Sequence, residues 1–173
     1  LSSLEKNTKS ANHPLHLGEV EEIDYLVRQQ RLTFSRAGVG DPLCIKNYQN
    51  LAGFTGLAQA VKLESQEIVD QLKDSGLRGR GGAAFPAGIK WQTVLDTPGE
   101  QKYIVCNADE GDPGAFSDRY LLEEQTLKVL FGMAICGYLI GSKQGFLYIR
   151  GEYPESIKAT DDALAKLREL GLL

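Results

Sequence analysis

Gly76-Leu77-Arg78-Gly79-Arg80-Gly81-Gly82-Ala83-Ala84-Phe85-Pro86-Ala87-Gly88-Ile89-Lys90-Trp91 is the stretch whose reading decides the fold. Glycines there let the backbone take positive φ and approach a ligand closely. Free N–H groups in succession make a concavity for anions. Pro86 suits the first turn of a helix, where a missing N–H costs nothing. The stretch therefore reads as a loop running into a helix whose positive end faces the glycines, a geometry that binds phosphate or a polar ring edge. It is not a Walker A loop, because Lys90 is followed by Trp91 rather than Ser or Thr. It is not a dinucleotide fingerprint either: Gly79-Arg80-Gly81 begins one, but position 84 is Ala. The alternative is a hinge or surface loop with solvated charges. The density of glycine beside Phe85, Lys90 and Trp91 favours the binding loop.

Outward from the loop, Gly76 stops a helix predicted over 65–73, with Ser65 as N-cap and Gln66 and Glu67 in its first turn. A helix over 86–95 follows, then a short β-branched strand over 102–106. The sequence next predicts a turn over 107–114 and a helix over 118–123. An apolar, buried helix over 125–140 leads to a second strand over 145–149. An amphipathic helix over 154–170 closes the chain at Gly171. Upstream, short helices are expected over 45–48 and 56–61, after a break at Asp41-Pro42. Val20, Ile23, Leu26 and Val27 form a helical stripe that predicts one amphipathic helix over 19–32, and 1–17 reads as an irregular arm. Strands alternating with helices imply an α/β fold, layered α/β/α around a short parallel sheet. Residues 1–40 form an N-terminal arm and helix, and 41–173 the α/β domain. Ligands in such folds lie beyond the carboxyl ends of the strands.

The turn after the first strand carries Asp109, Glu110 and Asp112 within four positions. Like charges this close repel, and burial raises their pKa values unless donors satisfy them. They suit a ligand with N–H and hydroxyl donors. An Asx-rich surface turn around Gly111, Pro113 and Gly114 is the plain alternative, and a hard-cation site is a third.

Composition excludes several classes. The net charge of −4 argues against a general nucleic-acid or anionic-membrane surface. The apolar run over 129–140 is too short to span a bilayer. The polar N-terminus has no apolar core segment, so no signal peptide is expected. Three cysteines, Cys44, Cys106 and Cys136, fit free thiols in a reducing compartment and cannot complete a four-cysteine iron–sulfur cluster. His13 and His16 read as surface residues, Cys106 as a small buried hydrophobe and Trp91 as core packing. Glu152 is expected to pair with Arg150 or cap the last helix.

Together, the glycine loop, Tyr103 to Arg119 and Arg150-Gly151-Glu152-Tyr153 resemble, in that order, the NADH-binding flavoprotein subunit family of respiratory complex I, NAD-reducing hydrogenases and NAD-dependent formate dehydrogenases. The likeness covers roughly residues 40 to 173. Arg28-Gln29-Gln30-Arg31 is similar to the lead-in of the soluble hydrogenase and formate dehydrogenase branch.

The resemblance implies a Rossmann-like FMN-binding domain that passes hydride between NAD(H) and FMN, in a diaphorase module. It implies that Gly79, Arg80, Gly81 and Gly82 lie along FMN. Lys90, Asn107 and Asp109 would contact the cofactor's polar edges, with Glu110 in the same turn. Phe85 would stack on the NADH adenine, and Asp112 would face the nicotinamide end.

The chain departs from the family pattern at several points. Ala84 replaces a usual glycine, which asks for negative φ or more room there. Ala87 replaces a Thr, Asp112 a usual Glu, and Thr93 an aromatic of some members. No side chain is assigned as acid or base, since the flavin carries the hydride chemistry. A 4Fe-4S cluster is implied only in a continuation of the chain. The implied partners are a thioredoxin-like 2Fe-2S subunit and a larger iron–sulfur or catalytic subunit, with no nucleic acid and no membrane insertion. The implied location is cytoplasmic. The competing readings are a complex I NADH-entry subunit and a non-catalytic scaffold domain that docks a cluster-bearing partner.

Overall fold

In the computed structural model, His16 and residues 22–173 are described. Apart from His16, the expected arm lies outside the described residues, as do His13 and positions 19–21 of the first expected helix. The chain divides into two compact units, Leu1–Ser35 and Arg36–Leu173.

Among the described residues of the first unit, α-helix is limited to α1 (Asp24–Val27), which buries no residue. The stripe predicts a helix reaching position 32, and the described part stops at Val27. The reason is physical. Ile23, Leu26 and Val27 gain little burial, Val27 being well exposed. A helix of one turn without burial does not propagate in water.

The second unit carries α2 (Ile45–Asn50), α3 (Thr55–Ala60), α4 (Ser65–Asp74), α5 (Ala87–Asp96), β1 (Tyr103–Ala108), α6 (Ser117–Glu124), α7 (Thr126–Ile140), β2 (Gln144–Ile149) and α8 (Pro154–Glu169). α4 begins one residue earlier than Ser65 capping would require. Its N-cap is Glu64, whose carboxylate takes the third amide while Glu67 accepts from the Glu64 amide at 2.9 Å. That reciprocal pair outcompetes the single bond a serine offers. Gly76 stops α4 as expected, at φ 65°, with its amide on the Lys73 carbonyl.

β1 and β2 pair in parallel, Tyr103 opposite Gln144 through Ala108 opposite Ile149. The connection through α6 and α7 is the long crossover that parallel strands need. α7 is the centre of the unit. Leu127, Leu130 and Phe131 pack with Tyr48, Ala163 and Leu167, and Leu147 of β2 lies against them. One end of α7, with Leu139 and Ile140, packs with Ile68 and Val69 of α4, and Trp91, Leu95 and Ile104 lie against that cluster. Trp91 is thus a packing residue, as expected. Leu122, Leu127, Leu139 and Leu167 are essentially dry, and each contributes on the order of 2 kcal/mol by transfer from water.

The fold is α/β with a short parallel sheet. Its helices cover one face, the side of Ile104, Cys106 and Leu147. On the other face Tyr103, Val105, Phe146 and Tyr148 are exposed, the Tyr103 and Phe146 rings 5.9 Å apart.

α5 crosses α4 at Gly88. A Cβ there would lie 2.8 Å from Lys73 Cγ and the Lys73 amide nitrogen, and 3.1 Å from the Leu72 carbonyl carbon. Only glycine admits that approach. At the far end of α5, Lys102 donates its ammonium to the carbonyls of Val94 (2.8 Å) and Leu95 (3.1 Å). Lys102 directly precedes β1, so α5 descends to the start of the strand that then ascends.

Candidate functional site

The glycine loop is closed at its neck. Arg78 and Pro86 form an antiparallel bridge, the Gly79 amide donates to Phe85 O at 2.9 Å, and the Ala87 amide to Leu77 O at 2.8 Å. Arg78 also donates to Ala84 O at 3.0 Å. Between these fastenings the chain is exposed, and the amides of residues 80 to 84 donate to no acceptor among the described residues. A Cβ on Gly81 or Gly82 would meet nothing within 4 Å, so the inner wall is open. Of the first-turn amides of α5, that of Ala87 is spent on Leu77 O, and those of Gly88 and Ile89 find no acceptor among the described residues, as at any helix start. Ala84 takes φ 50°. The sequence asked for negative φ or extra room at this methyl. The structure instead keeps the left-handed angle, with the Arg78 bond to its carbonyl holding it there.

Phe85 is half-exposed beside the neck. Lys90, on the second turn of α5, is exposed and close enough to Cys136 of α7 for its charge to act on that thiol. Burial pushes the Cys136 thiol up to about 11, and Lys90 pulls against this.

Three acids of the second turn meet three fates. Glu110 is buried and spends its carboxylate on α6. It accepts from Ser117 Oγ at 2.8 Å and from the amides of Asp118 (3.1 Å) and Arg119 (3.3 Å). Those are the helix's unpaired first-turn donors, so Glu110 caps α6 from seven to nine residues away. Burial would raise its carboxyl, but these hydrogen bonds hold it below the usual value. Asp118 feels the result: burial raises its carboxyl, and the Glu110 charge adds to the rise. Asp109 is half-exposed, its amide on the Asn107 side-chain oxygen at 3.1 Å in an Asx turn. Asp112 is exposed, and among the described residues only its backbone carbonyl is engaged, by Ala115 N at 3.1 Å. Among the described residues the acids do not gather into a group that could hold a metal ion.

Arg150, immediately after β2, ties the two strand ends together. Its guanidinium donates to the Glu110 carbonyl, lies 3.9 Å from the Asp109 carboxylate, and pairs with Glu152 at 3.0 Å. It also stacks over Tyr153, 5.6 Å from the ring centroid. The Glu152 pairing expected from the sequence is present. The sequence did not single out Arg150, Ser117 or Tyr153 as site residues. The readable signal was an arginine directly after a strand whose neighbour ends in an acidic turn.

The glycine loop and the acidic turn occupy the same end of the sheet. α5 spans about 15 Å at 1.5 Å per residue, and β1 about 20 Å at 3.3 Å per residue. The two run in opposite directions from their shared base at Lys102, with Leu95 and Ile104 in one cluster. The first turn of α5 therefore points toward the carboxyl end of β1. Asn107, Asp109, Glu110 and Asp112 sit there, and Gly79, Arg80, Gly81, Gly82, Phe85 and Lys90 approach from the helix side. No hydrogen bond or ion pair joins the two groups among the described residues.

Residues 72–171 match the family model described as the Nuo51 FMN-binding domain. The chain is 49% identical over 146 residues to the HndC component of the NADP-reducing hydrogenase of Solidesulfovibrio fructosivorans, covering 84% of this chain and 30% of that protein. It is 47% identical over 117 residues to the alpha component of the NAD-reducing hydrogenase HoxS of Cupriavidus necator, covering 68% and 19%. It is 38% identical over 134 residues to a component of the NADH-quinone oxidoreductase of Escherichia coli, covering 76% and 30%. A crystal structure of an air-oxidized NAD+-reducing NiFe-hydrogenase superposes with a TM-score of 0.58 at 35% identity, over 61% of this chain and 19% of that one. The chain thus spans under a third of the length of these relatives.

Proposed function

The chain belongs to the Nuo51 FMN-binding domain family, and from that premise we propose that it holds FMN in a diaphorase that exchanges hydride with NAD(H). The observation that carries the reading is the shared end. Amides of residues 80 to 84 and of Gly88 and Ile89, unpaired among the described residues, lie toward the carboxyl end of β1, where Asn107, Asp109 and Asp112 offer acceptors. These donors suit the phosphate and carbonyl oxygens of FMN, and the acceptors suit its ring N–H, so the residues present fit the group. When bound, FMN supplies the hydride-accepting ring and the change from two-electron to one-electron chemistry.

Gly79, Arg80, Gly81 and Gly82 would hold the cofactor along its length, and Lys90, Asn107 and Asp109 its polar edges. Phe85 would stack on the adenine of NADH, and Asp112 would face the nicotinamide end. What the protein contributes is placement: stacked rings held in contact lower the entropic barrier. Glu110 acts one step back, by fixing α6 and with it the path of the turn. The partners that suit this role would be iron–sulfur centres able to take single electrons: a 4Fe-4S cluster in a continuation of the polypeptide, a thioredoxin-like 2Fe-2S subunit and a larger iron–sulfur subunit. The setting in this reading is a hydrogenase or formate dehydrogenase in the cytoplasm, and the hydrogenase relatives support the first of these. Among the described residues no helix is long and apolar enough to cross a membrane.

The test is the complete protein, purified in its complex. It should be yellow with flavin absorbance that bleaches on anaerobic addition of NADH, and Gly82→Val should abolish the colour. A colourless protein that still assembles with its iron–sulfur partner would replace this reading with a scaffold role.

A further inference from the structure

Of the three acids in the turn, only Asp109 is both oriented and unspent. Glu110 is consumed by α6, and Asp112 has no side-chain partner among the described residues to aim it. Asp109 has one, the Arg150 guanidinium, at a separation of 3.9 Å. That distance is an ion-pair contact and not a hydrogen bond, so the carboxylate keeps its lone pairs for something else.

Arg150 itself is well fixed. Its planar fork is shared between the Glu110 carbonyl, the Glu152 carboxylate and the Tyr153 ring, and only about a quarter of its side chain is exposed. A rigid planar cation with several anchors can set the direction of a neighbouring carboxylate, which a flexible ammonium does less well. Its bond to the Glu110 carbonyl also pins the backbone directly after Asp109.

We propose that Arg150 is a positioning residue: anchored at the end of β2, it holds the main chain at Glu110 and the carboxylate of Asp109 in the orientation that receives the donor edge of the flavin. This rests on the FMN reading above. Arg150 touches no cofactor itself and acts through Asp109.

A double-substitution cycle in the complete protein separates this from a general structural role. The flavin is removed, and the apoprotein is titrated with FMN, read by quenching of flavin fluorescence and by the shape of the bound flavin's visible band. The proteins are the natural one, Asp109→Asn, Arg150→Met and the pair. Asp109→Asn is expected to weaken FMN about tenfold, and Arg150→Met by a similar factor with the same change in band shape. The pair should be no worse than Asp109→Asn alone.

Equal losses from Arg150→Met in both backgrounds would overturn the positioning role while leaving the FMN reading intact. No loss from Asp109→Asn would overturn both the role and the assignment of Asp109 to the flavin. Melting curves accompany each protein. If Arg150→Met does not fold, Arg150→Lys is carried through the same cycle, keeping the charge but losing the fork, with the same two outcomes deciding.

Discussion

Ser117 donates its hydroxyl to the Glu110 carboxylate at 2.8 Å, across seven positions of chain. The bond makes an acid of the candidate site into the first-turn cap of the next helix. Replacing Glu110 by Gln should therefore cost about 1–2 kcal/mol at neutral pH, the usual worth of a lost cap. Chemical denaturation measures it directly.

The same carboxylate gives the protein part of its acid sensitivity. Its folded value lies below the ordinary 4.5, so an unfolded chain takes the proton first as pH falls. The contribution is complete above about pH 4.5 and is lost as pH drops through the folded value. Stability curves of Glu110→Gln should be flatter over that window. In an NMR titration of the variant, Asp118 should move down toward its ordinary 3.8 without reaching it. Its burial persists when the Glu110 charge is gone.

Gly88→Ala should be among the most damaging single-methyl changes in the chain. The new Cβ would lie 2.8 Å from the Lys73 amide nitrogen, and backbone cannot yield as a side-chain tip does. Overpacking of this kind costs about 1–3 kcal/mol. Thermal melting reads the loss, and a normal melting temperature would show that α4 and α5 can part without penalty.

Ala84→Gly should do the reverse. At φ 50° an alanine carries strain that glycine lacks, worth about 1 kcal/mol. Part of the gain is returned through the greater freedom of glycine in the unfolded chain. A small rise in melting temperature is expected, while Ala84→Val should lower it by several degrees.

Cys136 should resist alkylation. With its thiol pushed up to about 11, only about one molecule in a thousand is thiolate at pH 8, and the thiolate is the nucleophile. Iodoacetamide labelling followed by mass spectrometry should find Cys136 slow. Slower labelling is expected in Lys90→Met, which removes the opposing charge. Labelling as fast as free cysteine would mean that the α5–α7 contact opens readily.

The sequence made the helices and strands of 65–171 readable because glycine stops, β-branched runs and the helical period agree there. Gly76, the parallel strands around the crossover, Trp91 and the Arg150–Glu152 pair follow from local chemistry. The start of α4 did not, because Glu64 is a poor cap until Glu67 returns the bond. The reach of the first helix was overread, because a stripe predicts amphipathicity but not the presence of a surface to cover. The fate of Glu110 was hidden for a different reason. An acid in a turn can face a cleft or turn back on the next helix, and the path of the intervening residues decides. The same applies to Arg150, whose three anchors come from the turn after β1 and the turn before α8.

Lys102 sets its ammonium against the last carbonyls of α5 and so cancels the negative pole of that helix. The positive pole, at the glycine loop, has no such counterweight among the described residues. A dianion arriving there completes the electrical circuit of α5, so occupancy and helix melting become one thermodynamic event. The temperature at which the domain unfolds then serves as a gauge of how much phosphate-bearing ligand is in solution.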